Sequence, residues 1–127
     1  MSTRDELISV PKTYKNYIGG AFPRTESGRY YKLNNAEGNH LANVCLSTRK
    51  DIRNAVQVAR KAQAGWQQRT AYNKGQIVYR IAEILSGRSH QFQSELEGMG
   101  YSKEMAECEV QSAIDLIIYF AGWTDKI

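Results

Sequence analysis

Proline is scarce in this chain of 127 residues: Pro11 and Pro23 are the only two, and none follows. A proline ring removes a backbone donor and breaks helix interiors, so the chain from Arg24 onward is free to be helical. Cysteine is equally sparse. Cys45 and Cys108 make no disulfide framework and fit a reducing, cytoplasmic setting. No apolar run approaches the roughly 18 residues that a membrane span requires. The opening MSTRDELISVPK scatters charges where a signal peptide needs an apolar run, so secretion is not expected. His40 and His90 are the only histidines, and neither CxxC nor HxxxH occurs. A zinc site of three or four closely spaced ligands therefore has no material, and no metal is expected. There is no GxxxxGK[ST] loop. The one GxG, Gly98-Met99-Gly100, lacks a third glycine and follows an acidic helical stretch, so it reads as a helix break and not as a dinucleotide fingerprint.

What is present suffices for one packed domain. Hydrophobic residues make 42% and charged residues 24%, which excludes a disordered or collagen-like chain. The net charge of +4 hides an asymmetry. Between residues 49 and 88, Arg49, Lys50, Arg53, Arg60, Lys61, Arg69, Lys74, Arg80 and Arg88 face only Asp51 and Glu83. From residue 89 on, Lys103 and Lys126 stand against seven acids. A nucleic-acid footprint is one reading, with Trp66, Tyr72 and Tyr79 available to stack. The basic residues are spread along a helical pattern, however, which favours solvated helical faces. Trp66 and Tyr72 serve equally well as core anchors beside helix ends.

The pattern divides the chain in two and predicts an α+β fold. Tyr14 to Ile18, the Gly19-Gly20 turn and Ala21-Phe22 read as a β-hairpin. Arg29 to Leu33 and His40 to Leu46 are further strand candidates, separated by the turn cluster Asn34 to Asn39. Strands are thus expected across about 14–46. The period then changes. Thr48 and Asp51 form a variant capping box ahead of a helix over about 49–64, whose apolar stripe is Ile52, Ala55, Val56, Ala59 and Ala62, reaching Trp66. A second helix over about 70–86 presents Ile77, Ile81, Ile84 and Leu85. A third, 88–98, carries Phe92 and Leu96, and Ser102 caps a fourth over about 102–124.

The fourth helix is the most informative. Its first half has one stripe, through Met105, Ala106, Val110, Ala113 and Ile114. Its second half, Ile114-Asp115-Leu116-Ile117-Ile118-Tyr119-Phe120-Ala121-Gly122-Trp123, is apolar all round the axis. Such a helix is built to be covered on every side. More chain, a second protein or another copy of this one is needed over Ile117, Phe120 and Trp123.

No reacting group stands out. Cys45 sits among apolar neighbours and reads as a small hydrophobe. Cys108 lies between Glu107 and Glu109, whose charges work against a thiolate. Two histidines assemble no Ser-His-Asp set. Glu104 with Glu107 and Glu95 with Glu97 have the spacing of solvated helix surfaces. No catalytic, cofactor-binding or metal residue is assigned.

Several segments, in order, resemble the opening of the aldehyde dehydrogenase family. Tyr17-Ile18-Gly19-Gly20-Ala21-Phe22, Asn34-Asn35-Ala36-Glu37-Gly38 and Leu41-Ala42-Asn43-Val44 are similar to its YIGGxF, NPATG and IAxV patterns. Asp51-Ile52-Arg53-Asn54-Ala55-Val56, with Ala59-Arg60-Lys61-Ala62 and Gly65-Trp66, resembles its first helix. Tyr79-Arg80-Ile81-Ala82-Glu83 resembles the next, and Tyr119-Phe120-Ala121-Gly122-Trp123-Thr124-Asp125-Lys126-Ile127 resembles its YYAGWADKI segment. Asn35 stands where the family usually has proline. The resemblance implies NAD(P)-dependent oxidation of an aldehyde to an acid through a cysteine thioester. It also implies that the oxyanion-stabilising Asn, the cofactor helix, the base Glu and the nucleophilic Cys lie beyond the position of Ile127.

The expectation is therefore a single, incomplete domain over 1–127. It would be an N-terminal segment of the family that packs on the cofactor-binding domain and is inactive alone. In this reading NAD or NADP belongs to the full-length enzyme and is not bound by this chain. Two alternatives remain: half of a split enzyme completed by a second chain, or a non-catalytic self-associating or nucleic-acid-binding module.

Overall fold

The computed structural model describes residues 11–126. The opening segment weighed against a signal peptide lies largely outside the described residues, as does Ile127. Three strands come first: β1 (Lys12–Tyr14), β2 (Tyr30–Asn34) and β3 (His40–Cys45). Four helices follow: α1 (Arg49–Gln67), α2 (Ala71–Gly87), α3 (Ser89–Gly98) and α4 (Lys103–Ala121). The α+β reading and its order of elements hold. The chain forms two compact units, with the boundary inside α1 between Lys61 and Ala62.

In the first unit β3 lies between the other strands. β1 pairs with it in parallel, Lys12 opposite Ala42, and β2 antiparallel, Tyr30 opposite Cys45. The expected first hairpin shrinks to one bridge, Ile18 with Ala21. Gly19 and Gly20 both adopt positive φ there, as the turn reading requires. The two-residue turn forms, but the Tyr14–Ile18 run pairs with β3 at its start and leaves too few residues for a ladder of its own.

Asp51 ties the loop before β2 to the start of α1. Its carboxylate accepts from the backbone N–H of Thr48 at 2.8 Å, which is the reciprocal half of the capping box. It also accepts from the Thr25 hydroxyl and, at 3.0 Å, from the Glu26 backbone N–H. Thr25 is buried, and its hydroxyl also lies 3.2 Å from the Leu46 carbonyl. The Thr25 hydroxyl, followed by the two backbone donors, holds the Asp51 carboxyl below its ordinary range. A carboxyl lowered by folding stabilises the fold at pH values above its unfolded pKa, about 3.9. That contribution disappears as pH falls through the lower folded value. Melting temperature measured from pH 6 downward should therefore drop along an acid limb, and Asp51→Asn should lower the neutral plateau and flatten that limb. An unchanged acid limb in the variant would contradict the tie. The neighbouring Lys50–Glu26 pair, 2.6 Å apart, is exposed and contributes little.

In the second unit α4 packs on α2 and α3. Its core is Ala82 from α2 with Ala106, Val110 and Ile114 from α4. Small residues at Ala82 and Ala106 bring the helix backbones close, and Val110 and Ile114 fill the seam. Ser102 caps α4 as read, accepting from the Met105 N–H, and the structure adds Thr70 as the cap of α2, accepting from the Asn73 N–H. Gly98 ends α3, and Gly100, at φ +105°, reverses the chain. The carbonyls of Leu96 and Glu97 accept from Tyr101 and Gly100, a glycine C-terminal cap.

Candidate functional site

The second half of α4 carries a continuous apolar face that the packing of its own unit does not use. At about 100° per residue, Leu116, Tyr119, Phe120 and Trp123 lie roughly opposite Ile114 around the axis. The inner stripe, Ala106, Val110 and Ile114, is buried. The outer stripe is open: Leu116 is 55% exposed, Tyr119 58%, Phe120 58% and Trp123 46%. Tyr119 meets Phe120 edge-on at 5.4 Å between ring centres and Trp123 at 6.0 Å, so the rings form one continuous aromatic surface. Of the three residues expected to need cover, Phe120 and Trp123 are exposed, whereas Ile117 is half-buried. Periodicity had predicted apolar groups all round; the structure divides them into a used face and an unused one.

Beside that surface, α2 and the end of α4 leave an apolar groove of about 460 Å³. Tyr72, Gln76 and Tyr79 form one wall, and Ile118 and Ala121 the other. Gly75 makes the approach possible. A Cβ at this position would sit 2.8 Å from Thr124 Oγ1 and 3.1 Å from the Ala121 carbonyl oxygen. Thr124 Oγ1 donates to that same carbonyl at 3.2 Å, which fixes the neighbour in place. The sequence reading passed over Gly75; a glycine within a helix that faces another helix end was the available signal. Tyr72 and Trp66, read also as core anchors, are 75% and 42% exposed.

The residues with chemical potential do not converge. Cys45 is half-buried, but its neighbours are polar: its thiol donates to Asn16 Oδ1 at 3.2 Å, and Ser47 Oγ lies 3.7 Å away. This corrects the expectation of apolar surroundings. Asn16 reaches Cys45 because β1 pairs in parallel with β3, Tyr14 opposite Val44, a contact 29 positions apart that no local pattern shows. Cys108 is exposed, with Ser112 Oγ at 4.0 Å. Among the described residues, neither thiol has a histidine or carboxylate at hydrogen-bond distance to act as base. His40 Nε2 is held locally, 2.9 Å from Asn43 Oδ1 and 3.1 Å from the Ala42 carbonyl. Glu95, Glu97, Glu104 and Glu107 are exposed on helices. Among the described residues no three His, Cys, Asp or Glu side chains gather as metal ligands, and no helix is long and apolar enough to cross a membrane.

Among the described residues α1 is the one helix whose N-terminus follows a strand, and there the Asp51 carboxylate already accepts from the Thr48 N–H; the GxG offers no other cradle to a nicotinamide dinucleotide. Its pyrophosphate calls for backbone N–H groups at a helix N-terminus that follows a strand. Gly98-Met99-Gly100 lies instead at the C-terminal end of α3, where carbonyls and the negative end of the helix dipole face outward. The groove beside α4 is lined mainly by apolar groups, and its charged residues, Asp125 and Lys126, pair with each other at 3.6 Å.

The aldehyde dehydrogenase family profile matches residues 22–127. Alpha-ketoglutaric semialdehyde dehydrogenase of Bacillus subtilis is 30% identical over 119 residues, covering 91% of this chain and 24% of that protein. Among solved structures, an NAD-dependent benzaldehyde dehydrogenase of Corynebacterium glutamicum superposes with a TM-score of 0.85 at 25% identity, over 90% of this chain and 26% of that one. Betaine aldehyde dehydrogenase of Staphylococcus aureus, solved with NAD+, gives 0.83 at 25% identity over 90% and 24%. The NAD-dependent aldehyde dehydrogenase of Sinorhizobium meliloti, at 20% identity, shares the fold with a TM-score of 0.84 over 93% and 24%. The chain thus spans about a quarter of the length of the relatives it matches. Its strands, its helices and most of its length belong to the aldehyde dehydrogenase family.

Proposed function

We propose that this chain supplies the N-terminal layer of an aldehyde dehydrogenase and none of its reacting groups. The family activity, NAD(P)-dependent oxidation of an aldehyde to an acid, then resides in residues beyond this segment. The single observation carrying this reading is the open outer face of α4, in a chain that spans a quarter of its relatives. Leu116, Tyr119, Phe120 and Trp123 are a surface prepared for cover. In this reading residues 1–127 are one incomplete domain, and the missing layers sit on that face. The two free thiols support a reducing compartment, the cytoplasm.

Acyl transfer requires a nucleophile, an oxyanion donor and a base held together. Cys45 and Cys108 lack the base, so the segment alone turns over no aldehyde. The test is NAD(P)H production by the purified chain with a panel of aldehydes. A rate equal to the buffer blank supports the proposal, and a rate above it refutes it.

The same face supports a second reading, in which the remaining residues reside on a separate polypeptide that docks there. The neighbouring reading frame decides between the two. A frame opening with the segment that carries the family's oxyanion-stabilising Asn, a PWNxP-like pattern, supports the split enzyme, and its absence removes the basis for one. The basic residues of 49–88 favour no nucleic-acid role: Lys50 and Arg80 are paired with Glu26 and Glu83, and Arg69 donates to Asn73.

A further inference from the structure

The first unit holds a depression of about 400 Å³ where β1, the start of β2 and the end of β3 meet the Arg24–Arg29 loop. Lys15, Arg24 and Arg29 line it, and no carboxylate does. None of the three has an ion pair among the described residues. The carboxylates that touch this loop are committed elsewhere. Asp51 accepts from Thr25, Thr48 and the Glu26 backbone, and the Glu26 side chain pairs with Lys50. Three like charges around one concavity repel one another, and an anion placed among them relieves that repulsion.

The remaining lining defines the ligand further. Tyr30 presents an open ring, 59% exposed, and Cys45 closes the strand end. The volume suits a small molecule and not a macromolecular chain. Two guanidinium forks and one ammonium match a dianionic phosphate group better than a single carboxylate, which would leave two of the cations uncompensated. We propose that this depression binds a small phosphate monoester, its phosphate among Lys15, Arg24 and Arg29 and its body against the Tyr30 ring. The site is independent of the α4 surface and of the role proposed for it.

Phenyl phosphate is a suitable probe, because it joins a dianion to a planar body. Titrated calorimetrically into the full chain at low salt, it should bind saturably, and more tightly than inorganic phosphate or benzoate. Arg24→Gln together with Arg29→Gln should weaken it at least tenfold, with circular dichroism confirming that the fold is kept. The unaltered chain carries its own control. Bound phenyl phosphate should slow maleimide alkylation of Cys45, which lines the site, and leave Cys108 unaffected. Added salt should reverse the protection. Absence of saturable binding, equal affinity for benzoate, or equal protection of both cysteines would overturn the proposal. So would undiminished binding by a folded double variant.

Discussion

Replacing Phe120 and Trp123 together with glutamate is expected to convert a self-associating chain into a monomer of 14.4 kDa, with no lower melting temperature at dilutions where the unaltered chain is itself monomeric. Large aromatic residues ordinarily stabilise a fold, and truncating a buried one costs about 3–5 kcal/mol. Here both rings already face water, at 58% and 46% exposure, so the second unit owes them little. Its core is on the other side of α4, at Ala106, Val110 and Ile114. What the rings offer is association: aromatic side chains bury roughly 150–250 Å² each when covered, at about 25 cal/mol per Å². Without the covering layers, a second copy is the available partner. Light scattering over a concentration series reads the result. An unaltered chain that stays monomeric throughout would contradict the reading of this face, and a large loss of thermal stability in the variant would place it in the core.

Gly75→Val, at a half-buried position, is expected to destabilise the second unit. The new Cβ meets Thr124 Oγ1 at 2.8 Å and the Ala121 carbonyl oxygen at 3.1 Å, both tighter than ordinary contact. The carbonyl is backbone and cannot rotate away, so α2 and the end of α4 must separate. Overpacking of this kind costs about 1–3 kcal/mol, which for a unit of this size lowers the melting temperature by on the order of 10 °C. Gly65→Ala is the matched control. Gly65 lies within α1 with no atom within 4 Å of its added Cβ, so alanine should stabilise by about 0.5–1 kcal/mol through helix propensity. Thermal unfolding of the two variants should shift in opposite directions. Equal shifts would remove the close approach at Gly75 as a determinant of the packing.

Much of this architecture was readable because it is local. Ser102 announced its helix by capping chemistry, and the four-residue spacing of Ala106, Val110 and Ile114 located the core stripe. The boundary after Gly65 was set too early: the helix runs through Trp66 to Gln67, because a single glycine near a helix end weakens the helix without ending it. Long-range ties were not readable. The sequence shows Asp51 as a capping residue, but its hold on Thr25, 26 positions back, depends on how β2 and β3 return the chain. Cys45 looks apolar by its neighbours along the strand, whereas its partner Asn16 is brought in by the pairing of β1 with β3, and Ser47 lies two residues on. The cations of the depression escaped for the same reason. Lys15, Arg24 and Arg29 are separated by the turns at Gly19-Gly20 and Gly28, and only the folded turns bring them together. Periodicity did show that α4 carries more apolar surface than one face can bury. It could not divide that surface, because which stripe faces inward depends on where α2 and α3 pack.

Reconstitution tests the central claim most directly. The chain would be mixed with a polypeptide holding the remainder of a family enzyme, beginning just after the position matched by Ile127, and NAD(P)H formation followed with an aldehyde panel. The account predicts no rate from the chain alone, a rate from the mixture, and loss of that rate when Phe120 and Trp123 are both glutamate. Turnover by the chain alone, or reconstitution that survives the double substitution, would contradict it.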